Sequence, residues 1–384
     1  MNILITGARA PISVDMIKVL VKAGHQVWAA DSVQFPIGRF VPGVQGYVRL
    51  ASPRHEYRAF ASQLVDACSR LGIEKVIPTS EEVFWLAHVD LPAGCLRQLP
   101  DADVLEELHN KWRFAHLAAQ LGYGADRNIL FRTRDALNTF LANEENDEYV
   151  LKPVFSRFAS QVVLHPTPQN TKHIAPNTEQ PWMAQSRARG TEICVYNIAQ
   201  RGELLFHVAY QPVFRAGAGA GIYFEPVRNE ALRVMSARFV EATAATGQLS
   251  FDVIDTAAGL VAIECNPRGT SGAHLAAQDP EAFAAALLGV EHIVSTVDLR
   301  PMMLSLPMLA YHAVRLLEPQ VRSAWRKATD PLSVAAVPRW AQCLATTELL
   351  ARSIWTGKGA LAASTHDIEW NGERIPRLEQ PATA

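Results

Sequence analysis

Along the first hundred positions, short apolar runs alternate with longer stretches whose apolar residues recur at helical spacing. Residues 2–6 are a nearly continuous apolar run that enters the turn Gly7-Ala8-Arg9-Ala10, and residues 13–23 then repeat apolar side chains every three or four positions. The run predicts a buried strand and the repeat predicts a helix, since side chains alternate along a strand and recur about every 3.6 residues along a helix. Gly24-His25 closes that helix, residues 26–31 give a second buried strand, 57–72 a second helix, and 75–78 a third strand that runs into Thr79-Ser80-Glu81-Glu82. Strands alternating with helices imply a parallel, doubly wound sheet, so residues 1–100 read as an α/β domain of Rossmann type.

The pattern changes after residue 100. A helical stretch runs from Asp101 to Leu121 and carries Lys111, and an apolar strand at 148–153 ends in Lys152-Pro153. A loop at 155–159, a strand at 161–164 and a polar, proline-bearing surface connection at 166–180 follow. Strands are expected at 182–185, 190–196 and 203–210, in antiparallel pairing. The glycine-alanine stretch after Arg215 predicts a mobile loop, because glycine adopts backbone angles closed to other residues. Two alternating runs, 250–255 and 261–266, flank Ala257-Ala258-Gly259 and read as a hairpin. Beyond about 295 the spacing is mainly helical, with one terminal strand expected at 367–372.

At 384 residues the chain fits two or three domains, and 49% hydrophobic with 19% charged residues is the balance of a globular protein. A formal charge of −2 argues against a strongly basic nucleic-acid surface. The basic cluster Arg322-Ser323-Ala324-Trp325-Arg326-Lys327 reads as the wet face of an amphipathic helix. Five scattered cysteines (Cys68, Cys95, Cys194, Cys265, Cys343) form no close-spaced metal pair and read as reduced thiols, which points to the cytoplasm. Met1 leads straight into a strand, so no signal peptide is expected, and the apolar stretch 302–314 is too short to span a bilayer. Gly7-Ala8-Arg9-Ala10-Pro11 lacks the second and third glycines of a dinucleotide fingerprint, so a non-nucleotide domain forming one wall of a substrate cleft is the better reading.

The chemistry concentrates on the late hairpin. Glu264 and Asn266 are two residues apart and share a face, with Asp252 on the partner strand able to join them, while Cys265 points the other way into the packing. Two carboxylates and a carboxamide are hard oxygen donors suited to Mg²⁺, and Arg268 adds a planar donor fork for a phosphoryl or carboxylate group. The run Glu264-Cys265-Asn266-Pro267-Arg268, with an acid on the facing strand, resembles the C-terminal metal hairpin of the ATP-grasp superfamily.

Lys111 on a helix and Lys152 at a strand end strengthen the resemblance, since ATP-grasp proteins bracket triphosphate oxygens with such a pair. It implies an N-terminal Rossmann-like pre-ATP-grasp sheet domain (1–100), an ATP-grasp domain (101–294, with a lid subdomain at about 125–186) and a mainly helical region (295–384). It also implies ATP and one or two Mg²⁺ ions, with Mn²⁺ as a substitute, held by Asp252, Glu264 and Asn266. The phosphate flap after Lys152 has no glycine here, so Ser156, Arg157 and Ser160 are expected to replace its backbone cradle. Gln185, Ser186 and Ala188 belong to the linker that reads adenine, and Glu192 in Gly190-Thr191-Glu192 meets the ribose. Arg215 and Arg268 take catalytic places near the transferred phosphoryl group. Glu81, Glu82, Ser271, Gly272 and His274 are candidate substrate contacts.

The activity implied is a carboxylate-amine ligase. A small carboxylate becomes an acyl phosphate with release of ADP, and an amine, or alternatively a thiol, then displaces phosphate. Expected partners are these small molecules, with no nucleic acid and no membrane, and a homodimer left open. Two rivals stand beside it: a catalytically silent nucleotide-binding scaffold, and a nicotinamide-dependent dehydrogenase that would leave Lys152 and the hairpin unexplained.

Overall fold

The computed structural model describes residues 1–142, 144–157, 161–217, 219–290 and 298–376. The N-terminal apolar runs pair into a five-stranded parallel sheet of β1 (Asn2–Ile5), β2 (Gln26–Asp31), β3 (Gly46–Arg49), β4 (Lys75–Ile77) and β5 (Leu96–Arg97), in the order β3-β2-β1-β4-β5. At its centre Ile5 faces Ala29 on one side and Ile77 on the other, and Ile3, Leu4 and Ile5 are fully buried, as in a parallel sheet covered on both faces. The edge strands β3 and β5 carry no apolar run, so the sequence pattern did not reveal them. Helices Pro11–Lys22 and Tyr57–Leu71 flank the sheet, and the second stops where Gly72 takes a left-handed φ of 58°.

The helical stretch from Asp101 is two helices, Ala102–His109 and Lys111–Gln120. Asn110 interrupts it because its side chain accepts the backbone N–H groups of Trp112 and Arg113, a cap that starts a new helix. The break places Lys111 in the first turn of the second helix, facing inward. A small sheet follows, built from β6 (Asn128–Phe131), β7 (Tyr149–Pro153), β8 (Val163–Leu164) and β9 (Trp182–Ser186), in the order β6-β9-β7-β8. It has its own core of Phe131, Leu137, Leu151 and Trp182.

The largest sheet contains β10 (Thr191–Gln200), β11 (Glu203–Ala216), β12 (Ala220–Val227), β13 (Gly247–Thr256), β14 (Gly259–Asn266) and β15 (Met302–Met303), ordered β14-β13-β10-β11-β12-β15. The glycine-alanine stretch after Arg215, expected as a mobile loop, is a hairpin whose strands run close to its tip, with Arg215 opposite Gly221 and Ala216 opposite Ala220. Alternation explains the difference: Pro212, Phe214 and Ala216 are buried while Gln211 and Val213 are exposed, so the apolar face outweighs the glycines. Helix Pro11–Lys22 lies between this sheet and the parallel one, packing Val14 and Ile17 into a core shared with Tyr196, Phe206 and Phe283.

After β15 the described chain is helical, including Arg339–Thr356 and Ala360–Thr365. The terminal strand expected at 367–372 is absent; those residues form turns. Their polar groups are taken by side chains of distant segments: Asp367 pairs with Arg9 at 2.6 Å, and the Trp85 indole N–H donates to the Ile368 carbonyl at 2.9 Å.

Candidate functional site

Asp252 on β13 and Glu264 on β14 are register partners, directly opposite each other. Asp252 faces Cys194 of β10 on its other side, and Cys194 faces Tyr210 of β11, so one row across four strands reads Tyr210, Cys194, Asp252, Glu264. Cys194 was missed in the sequence, although it lies two residues beyond Glu192 and therefore on the same strand face. Cys265 is buried in the opposite face with Phe114, Phe239 and Phe251, as the alternation requires. Burial first, and then the neighbouring Glu264, raise the Asp252 carboxyl well above the usual carboxylate range.

Two buried lysines close on these acids. Lys111 Nζ lies 3.2 Å from Glu264 Oε2 and donates to the Ser156 carbonyl at 2.8 Å. Lys152 Nζ donates to Gln185 Oε1 at 2.9 Å and to the Ile263 carbonyl at 3.0 Å, and burial pushes its ammonium down to about 8. Gln185 is itself held by Asn128, 3.0 Å from its amide nitrogen. Asn266 stands beside Glu264, with Nδ2 3.4 Å from Oε1, while its Oδ1 accepts from Arg268 Nη2 at 3.2 Å. Among the described residues no group of three or more His, Cys, Asp and Glu side chains is placed to hold a metal ion, so the candidate donor set here is two carboxylates and an amide. Two carboxylates opposed in register, with Lys111 3.2 Å from Glu264, fit a hard divalent cation.

Glu192 and Arg215 also meet. Arg215 Nη2 lies 2.6 Å from Glu192 Oε1, and its Nη1 donates to the Gly219 carbonyl at 3.0 Å. The residue expected on ribose and the one expected on the phosphoryl group thus pair with each other in this structure. Ser186 and Arg187 use their backbone N–H groups on the carbonyls of Arg127 and Glu148 at 2.8 and 2.7 Å, and Ala188 follows half-buried at the strand end.

Several expected contacts lie elsewhere. Arg157 does not turn toward the lysines; its Nε lies 2.6 Å from Glu81 Oε2, Nη1 donates to Asn371 Oδ1 at 2.7 Å, and Nη2 donates to the Trp370 carbonyl. A guanidinium that finds a buried carboxylate this close is held there by charge rather than left for the phosphate side. At Ser156 it is the backbone carbonyl, not the hydroxyl, that meets Lys111, and Ser160 lies outside the described residues.

Glu81 is no open substrate contact, being fully buried with Oε1 2.7 Å from Arg268 Nε. Burial alone would raise its carboxyl, but Arg157 and Arg268 draw it down to about 2. Glu82 is turned inward, accepting from Thr6 Oγ1 at 2.9 Å and the Thr79 N–H at 3.0 Å, and burial raises its carboxyl. A Cβ at Gly7 would lie 2.5 Å from that carboxylate, which is why the first turn needs glycine. His274 is 1% exposed and bonded to Asp15 at 2.6 Å inside the shared core, so it is not a substrate contact. Ser271 is half-buried just ahead of the short helix Gly272–Ala276, and Gly272 packs so closely on Tyr196 that a side chain there would clash.

No protein-family model matches the sequence, and the comparison with curated proteins gives no match. Solved structures do match in fold. An L-amino acid ligase from Bacillus licheniformis is 16% identical, with a TM-score of 0.58 over 78% of each chain. Phosphoribosylamine–glycine ligase from Thermotoga maritima is 13% identical, with a TM-score of 0.61 over 79% of this chain and 80% of that one. N5-carboxyaminoimidazole synthetase from Staphylococcus aureus, solved with ADP, is 12% identical, with a TM-score of 0.62 over 83% of this chain and 86% of that one. These are ATP-grasp enzymes, and the architecture described here is the ATP-grasp fold. Among the described residues no helix is long and apolar enough to cross a membrane.

Proposed function

We propose that the chain is an ATP-dependent ligase that activates a small carboxylate, such as an amino acid, as an acyl phosphate and joins it to an amine, releasing ADP and phosphate. One observation carries this reading: Asp252 and Glu264 oppose each other in register, with buried Lys111 3.2 Å from Glu264 and buried Lys152 bonded to the carbonyl of the preceding Ile263. Mg²⁺ fits Asp252, Glu264 and the Asn266 amide, and when bound it would neutralise charge on the nucleotide phosphates.

Phosphoryl transfer needs positioning and charge neutralisation more than covalent help. Lys111 and Lys152 supply fixed cations, and their burial keeps water from screening them. Arg268, just past the end of the metal-type strand, would face the transferred group with the N–H groups left over from its bonds to Glu81, the Gly269 carbonyl and Asn266. Arg215 joins it once Glu192 turns to the ribose. The amine would then attack the acyl carbon and phosphate would leave, a step that asks for exclusion of water and no protein nucleophile.

The test is ADP release in the presence of Mg²⁺ across pairs of amino acids and small carboxylates, with product detection by mass. A pair that yields ADP, phosphate and the condensed product in equal amounts supports the reading. ATP bound with no turnover on any pair favours the silent scaffold, and no nucleotide binding at all removes both.

A further inference from the structure

Glu81 pairs with two arginines, Arg268 and Arg157. It follows β4, at the carboxyl end of the parallel sheet, and its side chain is 0% exposed. One oxygen, Oε1, lies 2.7 Å from Arg268 Nε; the other, Oε2, lies 2.6 Å from Arg157 Nε. Those arginines belong to separate elements. Arg268 directly follows the strand that carries Glu264 and Asn266, and Arg157 sits in the segment that follows Lys152. Each reaches a further group: Arg268 donates to Asn266 Oδ1 at 3.2 Å, and Arg157 donates to Asn371 and to the Trp370 carbonyl. The ring of Trp370 is stacked on Phe84 at 5.3 Å, three residues beyond Glu81, and Phe155 packs on Trp370 at 5.5 Å.

We propose that Glu81 is a positioning residue for the nucleotide site, orienting Arg268 with one carboxylate oxygen while the other fastens the segment after Lys152, through Arg157, to the C-terminal residues Trp370 and Asn371. This rests on the ligase reading for the identity of the ligand, but the geometry of the hub stands without it. A carboxylate hydrogen-bonded to one guanidinium through one oxygen and ion-paired with another through the second constrains both arginines at once. The arrangement also assigns work to the C-terminal segment: it supplies the far anchor of a phosphate loop that has no glycine to form a backbone cradle. Without the hub, Lys111 keeps its pairing with Glu264 and Lys152 its bonds to Gln185 and the Ile263 carbonyl, so ground-state binding of a diphosphate is spared. What is lost is the aim of Arg268 at the group beyond it.

The experiment uses the full chain and three variants: Glu81→Gln, Glu81→Asp, and Glu81→Gln combined with Arg157→Met, which removes the buried repulsion that the single change leaves behind. Affinities for a non-hydrolysable ATP analogue and for ADP, both with Mg²⁺, are measured by calorimetry, and hydrogen exchange is followed for peptides covering 150–157 and 366–373 without nucleotide. We expect the analogue-to-ADP preference to fall about tenfold or more in the double variant, the scale of losing a hydrogen bond to a charged group, with ADP affinity held within about twofold. Exchange in both peptides should rise together in every variant, and Asp, one methylene shorter, should not restore the preference. A merely structural role would weaken both nucleotides equally and be rescued by the double variant. Unchanged preference, or unchanged exchange in either peptide, overturns the proposal. If the wild type binds neither nucleotide, the ligase reading fails instead, and the exchange data alone decide whether Glu81 fastens the two segments.

Discussion

Asp252 and Glu264 face each other across β13 and β14 while Lys111 reaches only Glu264, at 3.2 Å. Against the opposing pull of Cys194 and Arg215, burial and then the like charge of Glu264 raise the Asp252 carboxyl. A divalent cation would relieve both. Mg²⁺ in the millimolar range should raise the thermal midpoint of the wild type, and Asp252→Asn should abolish that rise while making the metal-free chain no less stable. Glu264→Gln should lower turnover of a confirmed substrate pair at least ~100-fold, the effect of losing an electrostatic group at the reacting centre. A midpoint in Asp252→Asn that still climbs with Mg²⁺ would place the cation elsewhere.

Arg157 is now expected to act on stability before it acts on nucleotide. Its guanidinium and Glu81 are both buried, and removing one partner of such a pair costs about 3–5 kcal/mol because the other charge is left uncompensated. Arg157→Ala should show that loss in urea denaturation without ligand. A change under about 1 kcal/mol would mean the pair is not buried as described.

The late hairpin was legible because parity along a strand fixes which side chains share a face: Glu264 and Asn266 lie on one side and Cys265 on the other, and the fold agrees. Lys111 and Lys152 were legible as cations at the ends of regular elements. Pairings between distant segments were not. His274 meets Asp15 across 259 positions and Arg157 meets Trp370 across 213, and nothing in local spacing carries that information. Edge strands β3 and β5 escaped for a related reason, since two to four half-polar residues give no period to read. The strand expected at 367–372 failed because Trp370 packs into the core of the parallel-sheet domain with Trp85 and Phe84, and the Ile368 carbonyl accepts the Trp85 indole N–H rather than a strand neighbour's.

Acid should unfold this protein through its buried histidines. Burial pushes His109 down to about 3 and His207 down to about 4, from an ordinary value of 6.5. Both rings are neutral in the fold and take a proton when the chain unfolds, so between those values the unfolded state binds more protons. Stability is fully present above about pH 6.5 and is lost as the pH falls, by up to about 1.4 kcal/mol per pH unit for each ring. Urea denaturation between pH 7 and 5 should show this slope, and His109→Gln should remove one ring's share. An identical slope in that variant would mean His109 is not held neutral.

Lys152 is a buried structural contact as well as a candidate phosphate ligand. It is 5% exposed and donates to both Gln185 and the Ile263 carbonyl. Lys152→Ala would leave those acceptors unpaired, at about 1–3 kcal/mol each. Lys152→Met keeps most of the volume and so separates the two effects better. It should lower the urea midpoint modestly but stay folded by circular dichroism at 25 °C, and bind an ATP analogue at least about tenfold more weakly, since a compact cation contributes to phosphate binding as a point charge. Gln185→Leu gives the control: it removes one acceptor of the ammonium and makes its surroundings more apolar, both of which disfavour the charge, so Lys152 should fall further below its ordinary range. Nucleotide affinity in Lys152→Met equal to that of the wild type would remove this lysine from the phosphate site and leave it as a buried strut between β7, β9 and β14.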